Sequence, residues 1–160
     1  MPTSGRRGFT LMETLIALAV VAILSGLGYP RLRSFMLKSN VRSARSTVIN
    51  TLQAAKARAL MEGRSTQVNF DNSKIWTTAT PRRSAVGGGT NPCDTVGTIV
   101  NLTQQYGVTV AATRSDGFTP AYFSFDLRGL GSSGSSLAVL LTRGEYKDSV
   151  NVSSYGRVSK

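Results

Sequence analysis

The chain has 160 residues, room for one domain with a modest core, and carries 19 Lys and Arg against 8 Asp and Glu, a formal charge of +11. It has no histidine, which removes the commonest general base and metal ligand, and its single cysteine, Cys93, excludes an internal disulfide and a thiolate metal site. Such a positive excess points to an anionic partner: nucleic acid, lipid headgroups or an acidic protein face.

Residues 1–8 form a short polar leader with Arg6 and Arg7. An apolar run follows from Phe9, with no charge between Thr14 and Tyr29 and one carboxylate, Glu13, near its start. With Phe9–Met12 included, the run approaches the roughly 20 residues a membrane span needs. No Ala-x-Ala pattern follows Leu27, but Gly26 and Gly28 are small, so the residues leave a retained anchor and a cleaved signal both open. An ionisable group at membrane depth is costly, which makes Glu13 a functional candidate; a place at the interface is the other reading. Gly26, Gly28 and Pro30 then interrupt the helical pattern and predict a kink, either serving assembly or simply bending the chain at the interface. Counting Lys and Arg on both sides of the span favours a cytoplasmic C-terminus, although long following domains cross regardless of charge.

From Arg31 the helix resumes and becomes amphipathic. Val41, Ala44, Val48, Leu52, Ala55 and Ala59 step by three or four and form one apolar stripe, with Lys38, Arg42 and Arg45 on another side. Gly63 is a natural stop. A helix over 9–62 is about 80 Å long at about 1.5 Å per residue. Between Glu13 and Glu62 there are seven basic residues and no acid, which suits anionic headgroups or acidic neighbours.

After Gly63 the period turns to two. Thr66, Val68 and Phe70 alternate with polar residues, Asp71-Asn72-Ser73 reads as a turn, and Ile75–Thr78 returns as a strand. Pro81–Asp94 is a loop whose triple glycine lacks the Lys-Ser/Thr of a phosphate loop. Thr98–Leu102, Val108–Ala112, Tyr122–Asp126, Leu137–Thr142 and Ser149–Ser153 are further expected strands. Arg143-Gly144-Glu145 suits a hairpin, and Gly129–Ser136 is a Gly/Ser loop. The fold class expected is α+β, one long helix packed on antiparallel sheet. No catalytic set appears: Asp94, Asp116, Asp126, Glu145 and Asp148 read as separate turn or cap residues. Cys93 reads as a small loop residue, a reactive thiol being the alternative.

The leader, Gly8, Phe9 and Glu13 resemble the class III signal of type IV pilins and type II secretion pseudopilins. Phe123-Ser-Phe-Asp-Leu-Arg-Gly129, Leu141-Thr-Arg-Gly144 and Gly156-Arg-Val158 are similar to the FimT/GspH family of minor pilins and H-type pseudopilins. The resemblance implies a pilin fold with a leader (1–8), an assembly helix (9–29), its amphipathic continuation (30–62) and a β-rich domain (63–160). It implies cleavage between Gly8 and Phe9 by the prepilin peptidase, which also methylates Phe9. The mature chain then has 152 residues, and loss of Arg6 and Arg7 lowers the charge from +11 to +9. The resemblance further implies that Glu13 pairs with the Phe9 amine of a neighbouring subunit and fixes filament register, a recognition element for export being the other reading. The implied setting is the inner membrane with the C-terminal domain in the periplasm, then a pilus or pseudopilus. The implied partners are other pilins, and the role is structural, in filament initiation or tip assembly, without cofactor, metal or enzymatic activity. A second implied reading is DNA binding in natural transformation, through a basic tail. Here Gly156, Arg157 and Val158 match, Ser159 stands where a second arginine belongs, and Lys160 follows. Arg82, Arg83, Arg143 and Lys147 join Arg157 as candidate phosphate contacts.

Overall fold

A computed structural model describes residues 9–80, 94–132 and 134–159. The leader, Arg82, Arg83, the triple glycine, Cys93 and Lys160 lie outside the described residues. The chain divides into two units at Met36 and Leu37.

The first unit is helical. Helix α1 (Leu11–Glu62) starts here and continues into the second unit. Every described side chain from Phe9 to Gly26 is exposed. No single helix among the described residues is long and apolar enough to cross a membrane. Leu11–Gly26 and Arg31–Glu62, bent at the break between them, meet that test as a pair.

The second unit holds the rest of α1 and two antiparallel sheets. Sheet A contains β1 (Thr66–Asp71), β2 (Lys74–Ala79), β3 (Asp94–Thr95), β4 (Val100–Asn101) and, after the short helix α2 (Leu102–Tyr106), β6 (Tyr122–Phe125). Its order is β3-β2-β1-β6, with β4 also on β2. Sheet B contains β5 (Thr109–Arg114), β7 (Leu137–Arg143), β8 (Tyr146–Val152) and β9 (Val158–Ser159), in the order β5-β7-β8-β9.

The six stripe residues from Val41 to Ala59 are all buried, in one cluster with Val68, Phe70, Phe123 and Phe125 of sheet A and Leu137, Val139, Leu141, Val150 and Val152 of sheet B. Burying one side chain such as Leu52 contributes about 1.5–3 kcal/mol. Thr66 adds a directed tie, its hydroxyl donating to the Ala55 carbonyl at 2.9 Å. The turns follow their residue types. Asn72 and Ser73 both have positive φ, as a two-residue turn between Asp71 and its partner Lys74 requires. Gly144 occupies the left-handed region between Arg143 and its partner Tyr146. On the outer face of sheet A, half-buried Trp76 stands opposite Asn69.

Three expectations are corrected. The strand expected over Thr98–Leu102 shrinks to Val100–Asn101. Asn101 instead caps α2, its side chain accepting from the backbone N–H groups of Thr103 and Gln104 at 3.1 and 3.2 Å, and Gly107 closes α2 in the left-handed region. Asp148 is no turn residue: it lies in β8 facing α1 and pairs with Arg45 at 3.6 Å. Asp94 is no turn residue either: it begins β3, opposite Ala79 of β2. Lys38 and Arg45 lie off the apolar stripe and reach β8, Lys38 5.1 Å from the Tyr146 ring centre and Arg45 on Asp148.

Candidate assembly and binding surfaces

At the start of α1 the chain supplies its own cap. The Glu13 N–H donates to the Thr10 hydroxyl at 3.2 Å and to the Thr10 carbonyl at 3.1 Å. Thr10 is thus the cap and Glu13 the third helical residue, in the Thr-x-x-Glu spacing of a capping box. That signal is present in the sequence itself, as Thr10-Leu-Met-Glu13. Glu13 also sits where a helix dipole favours negative charge. Among the described residues its carboxylate has no ion pair.

The candidate phosphate contacts scatter. Arg143 is half-buried and occupied: its guanidinium donates to the Tyr106 carbonyl and covers Gly107 at the end of α2. Lys147 and Arg157 are exposed. They stand near opposite ends of β8, about 20 Å apart at about 3.3 Å per residue.

Among the described residues, Asp116 is the acid with the most partners. It accepts from Arg114 Nε at 2.9 Å and Nη2 at 2.5 Å, from the Ser135 hydroxyl at 2.9 Å and from the Phe118 N–H at 3.2 Å. The Arg114 hydrogen bond, foremost, holds its carboxyl down at about 2. Arg114 is itself buried, with its guanidinium 4.1 Å from the Tyr122 ring centre. This cluster joins β5 of sheet B to β6 of sheet A and reads as structural.

The family-like segments of the second half meet in space. The loop after β6 is folded on Asp126, whose carboxylate accepts from the N–H groups of Arg128 and Leu130 at 2.9 and 2.8 Å. A Cβ on Gly129 would stand 3.0 Å from Leu60 at the end of α1. A Cβ on Gly131 would stand 2.1 Å from the Ser154 carbonyl oxygen, and one on Gly156 would stand 3.0 Å from Phe125. The loop is therefore wedged between the end of α1 and the turn from Ser153 to Arg157. Around it Leu60, Met61, Leu127, Leu130 and Tyr155 are exposed apolar side chains, and Arg128 and Arg157 are exposed cations. Of these, only Arg157 was singled out from sequence. Exposure of scattered leucines has no signature in one strand's pattern.

Two family models match the chain. The prokaryotic N-terminal methylation motif matches residues 3–29, and type II transport protein GspH matches residues 44–156, more than two thirds of the chain. No curated protein matches it. Among solved structures it is similar in fold to the type IV minor pilin FimU of Pseudomonas aeruginosa, at 12% identity and a TM-score of 0.52, over 78% of this chain and 90% of that one. The minor pseudopilin EpsH of the Vibrio cholerae type 2 secretion system aligns at 13% identity and a TM-score of 0.48, over 73% of this chain and 91% of that one.

Proposed function

The chain belongs to the family of the type II transport protein GspH, and on that premise we propose that it is a minor pilin or pseudopilin, a structural subunit acting in filament initiation or at the filament tip. The observation that carries this reading is the uncovered apolar surface of α1 from Leu11 to Leu24, directly after a methylation motif. Such a surface needs lipid or the helices of other subunits around it. The leader is removed between Gly8 and Phe9 by the prepilin peptidase and Phe9 is methylated. The retained helix holds the subunit in the inner membrane, with the β-rich domain in the periplasm, until assembly. Gly26, Gly28 and Pro30 give that helix its bend. In the apolar interior of the filament a lone carboxylate is strongly disfavoured, so Glu13 takes the Phe9 amine of the next subunit as its partner.

The test is intact-mass measurement of the chain from cells with a working peptidase. Wild type is expected to start at methylated Phe9, and Gly8→Val to keep its leader. Wild type still beginning at Met1, or a Gly8→Val chain cut normally, overturns the reading.

A further inference from the structure

We propose that the surface formed by Leu60, Leu127, Leu130 and Tyr155, together with the exposed Arg128 and Arg157, docks an acidic protein partner that presents carboxylates around an apolar side chain. The proposal rests on the reading of the chain as a filament subunit and specifies one of its contacts. Three observations carry it. First, the apolar groups are displayed on a preorganised backbone: Asp126 fixes the loop through two N–H groups, Ser132 N–H donates to the Ser124 carbonyl at 2.9 Å, and Gly131 leaves no room against Ser154. Little ordering entropy remains to be lost on binding, which favours an interface. Secondly, the residues exposed are of the kind interfaces bury at their centre. Tyr155 is 77% exposed and Leu127 59%, and Leu60 and Leu130 are exposed around the same loop, so the apolar groups are gathered in one region. Thirdly, the charge there is one-sided. Among the described residues Arg128 and Arg157 make no ion pair, whereas the nearby acids are occupied, Glu62 by Arg58 and Arg64 and Asp126 by backbone N–H groups.

That charge selects the occupant. A second copy docked face to face would bring two arginines onto two arginines, an arrangement that disfavours pairing. Nucleic acid would use the arginines and the Tyr155 ring but leave Leu60, Leu127 and Leu130 uncovered, since its binding is dominated by phosphate contacts and stacking on rings. A protein surface with carboxylates around an apolar knob satisfies both halves of the site.

The test places a photo-crosslinking amino acid at Leu127, Leu130 or Tyr155 of the full chain, in the cells that make it, with Leu140 on the outer face of β7 as control. The expected result is one heterologous protein adduct at the three sites and none at Leu140, mapped to a peptide rich in Asp or Glu. The double variant Arg128→Glu, Arg157→Glu is expected to reduce it at least about tenfold while melting like wild type, and Arg128→Lys, Arg157→Lys to retain it. An adduct with a second copy, labelling equal to Leu140, or an adduct indifferent to charge reversal overturns the proposal. So does retention of a short DNA duplex by the detergent-solubilised chain at low salt, if it is lost with the same double variant and no protein adduct forms. Cleavage after Gly8 and recovery of the chain in sheared filaments are scored in the same cells. A failed crosslink with both intact removes this contact and leaves the filament reading standing.

Discussion

Among the described glycines, Gly131 is the one least able to carry a side chain. A Cβ there would lie 2.1 Å from the Ser154 carbonyl oxygen and 2.8 Å from Phe123 Cζ, and neither group can swing away. Gly131→Ala is expected to destabilise by about 1–3 kcal/mol, the ordinary cost of overpacking. Gly134→Ala is the control: it has φ +65° and nothing within 4 Å, so it carries only left-handed backbone strain of about 1 kcal/mol. Thermal melts of both variants check the order, and a Gly131→Ala chain as stable as Gly134→Ala would contradict the wedge. Sequence shows these two glycines as equivalent members of one Gly/Ser loop. What separates them is a turn far along the chain, beyond the reach of local pattern.

Among the elements, Arg114 and Asp116 link the two sheets: they tie the end of β5 to Tyr122 of β6, and Asp116 also accepts from Ser135 before β7. The Asp116 carboxyl is held at about 2, below its ordinary value. Its folded form is therefore favoured when ionised, so the contribution is complete above the ordinary carboxylate value of about 3.9 and is lost as pH falls through about 2. Asp116→Asn is expected to melt lower than wild type at neutral pH, and the gap to narrow as pH falls from about 4 to about 2. A gap constant over that range would show that the charge is not what Asp116 contributes. The large elements were legible because their periods were clean. The stripe from Val41 to Ala59 stepped by three and four, and β1 alternated from Thr66 to Phe70. Helix α2 was not, because one turn offers no period; only Asn101 and Gly107 at its two ends announced it. Nor was the pairing of Asp148 with Arg45, which depends on which face of β8 meets α1.

For the molecule as a whole, the family and the α+β fold could be read from the leader, the apolar run and a few landmarks in the β-domain. The surface around Leu127 could not, since it is assembled from three distant segments. The proposed pairing of Glu13 predicts that Glu13→Gln, similar in shape but neutral, is still cleaved after Gly8 yet enters filaments at least about tenfold less, a shift of about 1.4 kcal/mol or more. Immunoblots of cell-bound and sheared fractions measure this. Assembly at wild-type levels would leave Glu13 only its place beside Thr10 in the helix cap.

The position of Trp76 has a practical corollary. It is the chain's one indole and stands on the outer side of β2, away from α1. Its fluorescence therefore reports loosening of that sheet, whereas far-ultraviolet dichroism is dominated by the helix. Two superimposable melting curves would mark a single cooperative transition; curves that part would time the sheet and the helix separately in one unlabelled sample.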